Sequence, residues 1–431
     1  MIEQEMKNAW EREGISSMRR YLTMVTIILA AGPAIRARNA PAGETTLTTM
    51  VGEAAGVTES LRREAHAGIA RGLDWLRAKQ QVDERGGYWS NPLYPALTAL
   101  PLWALVKGGD RDSEAARRAV AYLKSCVRED GGIYCDPPEA QRGGGLSNYN
   151  TAISMVALHL VGDPDLVPIV QRARTFVARR QHLGGDLYHG GMGYDAQTGR
   201  PYADLSNSYI AYEAMRMTES VEDLRGPGEE RADLDWDAAL QFIQRSHNDP
   251  SVNSQPWVSD DPRDRGGFVY HPQQTRAGTF TGRDGTIKFR SMPGMTYAGL
   301  LSYIYANVDR TDPRVEATVN WIVNHWSLDA NNPKSGGNAS HDTQDEREGL
   351  YYMYNVMAKG LAAYGQDVLR PPDRPAFNWR VQLIERLLSL QKIEPETGHG
   401  YWVNEVGRYW ESDPVLCTAY ALIALETALG E

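Results

Sequence analysis

Three carboxylates stand at equivalent points of a recurring unit. Asp204, Glu348 and Asp413 each come just before a strongly apolar helical segment. Tyrosines and asparagines gather at the same points: Tyr149, Asn150, Asn207, Tyr297, Tyr351 and Tyr352. If the apolar segments run side by side, their starts share one end of the bundle and the carboxylates share one mouth. Helix N-termini carry partial positive charge, so such a mouth favours anionic groups. A carboxyl taken out of water keeps its proton above its ordinary pKa, which suits it to work as an acid or base. Asp204, Glu348 and Asp413 are therefore the candidate catalytic residues. Tyr149, Asn150, Asn207, Tyr297, Tyr351 and Tyr352 are the candidate substrate-binding ones. The competing reading is structural: Asp204, Asp413 and Ser147 are good helix N-caps, and tyrosines at helical spacing commonly pack between helices.

Other reactive side chains form no comparable set. His189, His271 and His341 sit beside glycine turns, where a hydrogen bond that braces the loop is the usual role, and none has a Ser or Cys nucleophile beside it. No CxxC or HExxH pattern occurs, so neither a metal nor a cofactor is expected. Cys126 and Cys135 flank a turn; they either pair in an oxidising compartment or remain two small unlinked residues, and Cys417 stands apart. The formal net charge of -10, with no Lys/Arg stripe, argues against a nucleic-acid partner. With 42% hydrophobic and 23% charged residues, the 431-residue chain has ample material for a buried core.

The elements that must position these residues repeat. Six times, a helix-like segment with an aromatic or leucine anchor (Trp75, Tyr122, Phe176, Phe242, Trp321, Leu387) leads to paired glycines and then a second apolar helix. The pairs are Gly86-Gly87, Gly131-Gly132, Gly190-Gly191, Gly266-Gly267 and Gly336-Gly337, with Gly398 and Gly400 in the last copy. The expected hairpins join Ile69–Gln80 to Pro95–Lys107, 116–127 to 149–160, 168–180 to 206–217, 236–246 to 295–306, 313–326 to 349–364, and 380–391 to 414–429. In each, the first segment is amphipathic and the second apolar nearly all round, which predicts outer and inner helices. Six hairpins that bury one face against their neighbours can close into a ring. The fold class expected is all-α, an α/α toroid of six hairpins. Residues 249–290 interrupt the fourth repeat, and within them Thr279–Thr281 and Thr286–Phe289 flank Gly282–Gly285 as a small β-hairpin. Residues 218–235 are acidic with a Gly-Pro-Gly break and read as a surface connection.

Particular motifs resemble the squalene and terpene cyclases. Arg71–Leu76, Gln80 and Gly86-Gly87-Tyr88-Trp89 resemble the QW repeat of that superfamily, and Leu387, Gln391, Gly400, Tyr401 and Trp402 repeat it. Gly190–Tyr194 with Asp204–Asn207, Ser291–Leu300 and Gly349–Leu361 look like bacterial prenyltransferase/squalene-oxidase repeats. The resemblance spans about residues 65–430 and implies an α/α toroid in which Gln and Trp tie each outer helix to the next repeat. Its chemistry carries over poorly. Glu411-Ser412-Asp413-Pro414 and Asp204-Leu205-Ser206-Asn207 approach the DxDD acid of those cyclases without completing it, and Asp413 with Cys417 has the wrong spacing for the prenyltransferase zinc site. What the resemblance implies is an isoprenoid-type apolar substrate in the toroid cavity, with a mouth carboxylate as acid. The alternatives are an exported binding or scaffold toroid without catalysis, and a carbohydrate-active toroid enzyme acting on an oligosaccharide.

At the N-terminus, Met18-Arg19-Arg20 leads into the apolar run Tyr21–Ala31 and then Ile35–Ala37. Residues 1–37 read as a secretory signal peptide whose start is Met18, preceded by a mis-called start. The run is too short for a transmembrane span, which needs about 20 apolar residues. Residues 38–60 read as a linker and 61–431 as the toroid, exported to the periplasm or medium.

Overall fold

The computed structural model describes residues 55–136, 144–195, 202–331 and 345–431. The proposed signal peptide, most of the proposed linker, the Gly336-Gly337 pair and His341 lie outside the described residues. Twelve α-helices are present among those described, in six consecutive hairpins. The outer helices are α1 (Glu59–Lys79), α3 (Glu114–Ser125), α5 (Val167–Ala178), α7 (Trp236–Ser246), α9 (Pro313–Asn324) and α11 (Trp379–Leu390). The inner helices are α2 (Ala96–Lys107), α4 (Ser147–Val161), α6 (Leu205–Met217), α8 (Pro293–Tyr305), α10 (Leu350–Tyr364) and α12 (Pro414–Leu429). Each inner helix packs on the next, and α12 packs on α2, so the ring closes. The α/α toroid is the observed architecture.

Hydrophobic patterning decides which helix goes inside. Every residue from Ala96 to Val106 of α2 and from Val415 to Glu426 of α12 is buried. In α3 burial is confined to the stripe Ala115, Ala116, Ala119, Tyr122 and Leu123. A helix apolar all round is stable only when neighbours cover all its faces, whereas one with a single apolar stripe leaves its other side to water. The first outer helix starts ten residues before the expected Ile69, at Glu59, because the Thr58 hydroxyl accepts from the Leu61 N–H and caps it there.

The recurring Gln, Trp and Gly residues fasten the ring. Gln80 Nε2 donates to the Ala115 carbonyl of the next outer helix at 2.8 Å, and Gln181 Nε2 donates to the Asp235 carbonyl ahead of α7 at 2.9 Å. In the last repeat Gln391 Nε2 donates to the Gly68 carbonyl of α1 at 2.8 Å, which ties the chain's end to its beginning. Trp89 and Trp402 are fully buried and donate to the Leu76 and Leu387 carbonyls, each at 2.8 Å. The paired glycines lie against the following outer helix. At Gly190, with φ of 93°, an added Cβ would stand 1.8 Å from the Ala238 carbonyl oxygen; at Gly266, with φ of 95°, it would be 2.3 Å from that of Ala317. Positive φ and contact with a neighbouring backbone leave room for no other residue.

Among the described residues, sheet structure is limited to four two-stranded hairpins: β1 (Gln81–Asp83) with β2 (Gly86–Tyr88), β3 (Thr279–Thr281) with β4 (Ile287–Phe289), β5 (Val368–Leu369) with β6 (Phe377–Asn378), and β7 (Lys392–Ile393) with β8 (Gly400–Tyr401). The β3–β4 pair is the expected hairpin, in antiparallel register Thr279 to Phe289. It belongs to an insertion with its own small core of Trp257, Val258, Val269 and Phe289. A buried ion pair there joins Arg290 Nη1 to Asp264 Oδ2 at 2.6 Å. The acidic connection after α6 is pinned rather than loose: Arg174 of α5, 1% exposed, binds Glu222 at 2.8 Å and also donates to Thr218 and the Ala232 carbonyl. Among the described residues, no helix is long and apolar enough to cross a membrane.

Candidate functional site

Successive inner helices run the same way round the ring, so their N-termini meet at one end. Four tyrosines fill the axis there. Tyr149 of α4 and Tyr420 of α12 sit on helices separated by α2, yet their hydroxyls are 3.3 Å apart. Tyr209 of α6 and Tyr352 of α10 sit on helices separated by α8, yet their rings meet edge to face at 6.1 Å. Contacts that skip a helix are possible only at the axis. Tyr352 and Tyr420 join the two pairs at 6.4 Å.

From this layer an aromatic band runs outward. Tyr149 contacts Tyr194 at 6.3 Å, and the Tyr202 and Tyr270 hydroxyls meet at 3.1 Å. Tyr270 arrives from the insertion, which anchors itself when the Leu205 N–H at the head of α6 donates to the Tyr270 carbonyl at 2.9 Å. Tyr149, Tyr194, Tyr270 and Tyr352 are half-buried and Tyr202 is exposed, so this end of the axis opens to solvent. At the other end the axis is crossed by charge: Lys359 Nζ of α10 reaches Glu213 Oε2 of α6 at 3.0 Å and lies 4.0 Å from the Trp103 ring centroid.

Asp204 lies beside the band and is fully buried. One of its oxygens accepts from the Ser206 hydroxyl at 2.6 Å and the Asn207 N–H at 2.9 Å, and the other from Asn207 Nδ2 at 2.8 Å. The nearby Tyr202 hydroxyl favours the charged form of Asp204 to a smaller extent. Burial holds its carboxyl above the usual aspartate range, and the Ser206 and Asn207 hydrogen bonds oppose that. Asp204 is thus the N-cap of α6 and also a buried proton-binding group among tyrosines. The Asn207 and Asn148 side-chain oxygens are buried without a hydrogen-bond partner among the described residues.

The remaining candidates have different surroundings. Glu348 precedes the left-handed Gly349 and pairs with Arg408 at 3.4 Å; burial raises its carboxyl while Arg408 pulls it down. Asp413 accepts from the Val415 N–H and caps α12. Asn150 is fully committed, accepting from the Ala96 N–H at 2.9 Å and donating to the Gly145 carbonyl at 2.7 Å. Tyr297 is buried in α8, and Tyr351 is buried with its ring edge-on to Tyr354 at 5.7 Å. Of the residues singled out by sequence, the structure brings Asp204, Asn207, Tyr149 and Tyr352 to one place.

Two groups were not among the site residues chosen from the sequence. Tyr194 and Tyr202 come from the loop before α6 and Tyr270 from the insertion after α7, which no local pattern links; Tyr420 stands two turns after Asp413, a spacing that could have identified it. Glu411 is the other. It is fully buried, one oxygen accepting from the Tyr352 N–H at 2.8 Å and the other from Asn404 Nδ2 at 2.7 Å. The Tyr351 and Leu350 N–H groups also face it. Burial pushes it up to about 7 despite this cap on α10. Among the described residues, no cluster of three His, Cys, Asp or Glu side chains is arranged to hold a metal ion.

Solved structures share this architecture. An α-amylase from Clostridium perfringens superposes with a TM-score of 0.50 and 11% identity, over 84% of this chain and 98% of that one. An unsaturated glucuronyl hydrolase specific for heparin does so with a TM-score of 0.51 and 12% identity, over 86% and 98%. A type II terpene cyclase from Scytonema gives 0.45 and 12%, over 86% and 99%. No family model and no curated protein sequence matches the chain. At such identities the likeness establishes the toroid and leaves the chemistry to the site itself.

Proposed function

We propose that the toroid is carbohydrate-active, binding an oligosaccharide in the mouth at the inner-helix N-termini. The observation that carries this reading is the tyrosine band. Its aromatic faces suit the C–H faces of sugar rings, while its hydroxyls suit sugar hydroxyls. An isoprenoid would need a dry apolar tunnel, and here the axis is occupied by phenol groups and the Lys359–Glu213 pair. The two neighbours with TM-scores of 0.50 and 0.51 are an amylase and a glucuronyl hydrolase, which accords with a sugar ligand.

The chemistry follows from burial. Asp204 is covered by its hydrogen-bond partners, so it does not touch the sugar; Tyr202, 37% exposed, does. The Tyr202 hydroxyl, which burial and the nearby Asp204 keep protonated, donates a hydrogen bond to the glycosidic oxygen. Asp204 is a positioning and proton-holding residue, and Tyr202 is the catalytic one. Glu348 and Asp413 serve the surrounding framework.

The test uses wild type, Asp204→Asn and Tyr202→Phe with panels of oligosaccharides and isoprenoids, measuring binding, turnover and thermal unfolding. Asn is itself a good N-cap, so D204N should fold and bind sugar while turnover falls about 100-fold or more. Isoprenoid binding without sugar binding would overturn the assignment, and unchanged turnover in both variants would remove Asp204 and Tyr202 from the reaction.

A further inference from the structure

The aromatic band does not stop at Tyr202. Beyond it the His271 ring stacks on Tyr202 at 5.4 Å and contacts Tyr188 at 5.2 Å, and the Tyr188 hydroxyl donates to Gln273 Oε1 at 3.2 Å. These residues come from two different loops, the one after α5 and the insertion after α7. They meet at the rim, where Tyr188 is half-buried and Tyr202 exposed.

His271 carries the decisive detail. Its Nδ1 accepts from the Gln273 N–H at 3.0 Å. A neutral imidazole with one nitrogen accepting must hold its proton on the other. Burial, together with the nearby Arg276, lowers this histidine to about 4, so the ring is neutral at ordinary pH and Nε2 bears the hydrogen. That nitrogen is buried and has no hydrogen-bond partner among the described residues, on a side chain only 6% exposed. Buried N–H donors are rarely left unpaired; this one is covered in the ligand-free chain, and an acceptor reaches it once the exposed Tyr202 ring stacked on it turns aside. Bracing of the loop, the role expected from sequence, uses only Nδ1.

We infer that Tyr188, Tyr202 and His271 form an outer sugar subsite, in which His271 Nε2–H donates to an oxygen of the sugar next to the one held in the mouth. This rests on the carbohydrate reading of the mouth and makes it specific: the ligand is a chain of at least two sugars.

The experiment is titration calorimetry with soluble tetrasaccharides, neutral and uronate-containing, each set against its own monosaccharide. The proteins are wild type, Tyr188→Ala, His271→Phe and His271→Gln. The bound tetrasaccharide should exceed its monosaccharide in affinity. His271→Phe should lose about tenfold for the tetrasaccharide, the loss of one hydrogen bond, and nothing for the monosaccharide. His271→Gln, whose amide can still donate, should recover most of the loss, which separates donation from folding; equal thermal unfolding temperatures would confirm intact protein. Tetrasaccharide affinity unchanged in His271→Phe and Tyr188→Ala, or equal affinity for both ligand lengths, would overturn the outer subsite alone. Wild type that binds no sugar would overturn it together with the reading of the mouth.

Discussion

Glu411 provides a quantitative test of how this toroid is held together. Its carboxyl is fully buried and receives N–H groups from the first turn of α10. Two effects oppose each other: the helix N-terminus favours the anion, and burial favours the acid. Burial wins, taking the group from an ordinary 4.5 to about 7. Folded Glu411 therefore holds a proton that the unfolded chain has already released. Folding takes up that proton between pH 4.5 and 7, so stability is greatest below the window and declines as pH rises through it. At about 1.4 kcal/mol per pH unit, the decline amounts to about 3 kcal/mol. Asp204, Asp264, Glu348 and Glu426 are raised in the same direction, while His247 and His271, lowered to about 4, act in the opposite one. Comparison with Glu411→Gln isolates the one contribution. Urea unfolding of both proteins at pH values from about 4 to about 8 gives their stability difference as a function of pH. Wild type should lose about 3 kcal/mol relative to the variant across that range. A pH-independent difference would refute the argument. A difference that grows in favour of wild type as pH rises would show that the helix N-terminus outweighs burial.

Four other outcomes are expected. Arg174→Met should cost about 2–3 kcal/mol in urea unfolding, less than the 3–5 typical of a broken buried pair, because Arg225 stays on Glu222; a loss under about 1 kcal/mol would contradict it. Gly190→Ala should destabilise by about 2 kcal/mol or more, since positive φ and the Ala238 carbonyl both exclude a methyl group, and unchanged unfolding would contradict the close approach. The Cys126 and Cys135 sulfurs are 3.7 Å apart, and the thiol of Cys126 holds Cys135 down to about 7. Oxidised glutathione should therefore be attacked by Cys135, resolved by Cys126 and released as two reduced molecules, leaving a disulfide; a stable mixed disulfide on Cys135 would refute the pairing. Exported protein should begin after about Ala37, and N-terminal sequencing that starts before Met18 would contradict the signal peptide.

The architecture was legible in the sequence because its causes are local. The paired glycines, the Gln and Trp residues and the contrast between amphipathic and apolar helices recur within each repeat, and each has one physical job in the ring. The site was less legible because it is tertiary. Asp413 and Glu411 are two residues apart, yet Asp413 caps its own helix while Glu411 reaches across to cap α10, and no periodicity distinguishes those directions. Asn150 offered the right polar group and is consumed joining α2 to α4. Tyr194, Tyr202 and Tyr270 are scattered through two loops and become a band only when the ring closes. His271 was expected only to brace its loop, and the Nδ1 bond that does so leaves the proton on Nε2, which no sequence pattern shows.

The claim that the tyrosine band is a sugar-binding surface is tested most directly by crystals of the wild-type protein soaked with the best-binding tetrasaccharide. Difference density should show sugar rings against Tyr149, Tyr202 and Tyr188, with oxygens within hydrogen-bond distance of the Tyr202 hydroxyl and His271 Nε2. Sugar density elsewhere, for instance in the cleft of about 420 Å³ lined by Trp75, Lys79, Glu394 and Tyr401, with the mouth holding only water, would contradict it.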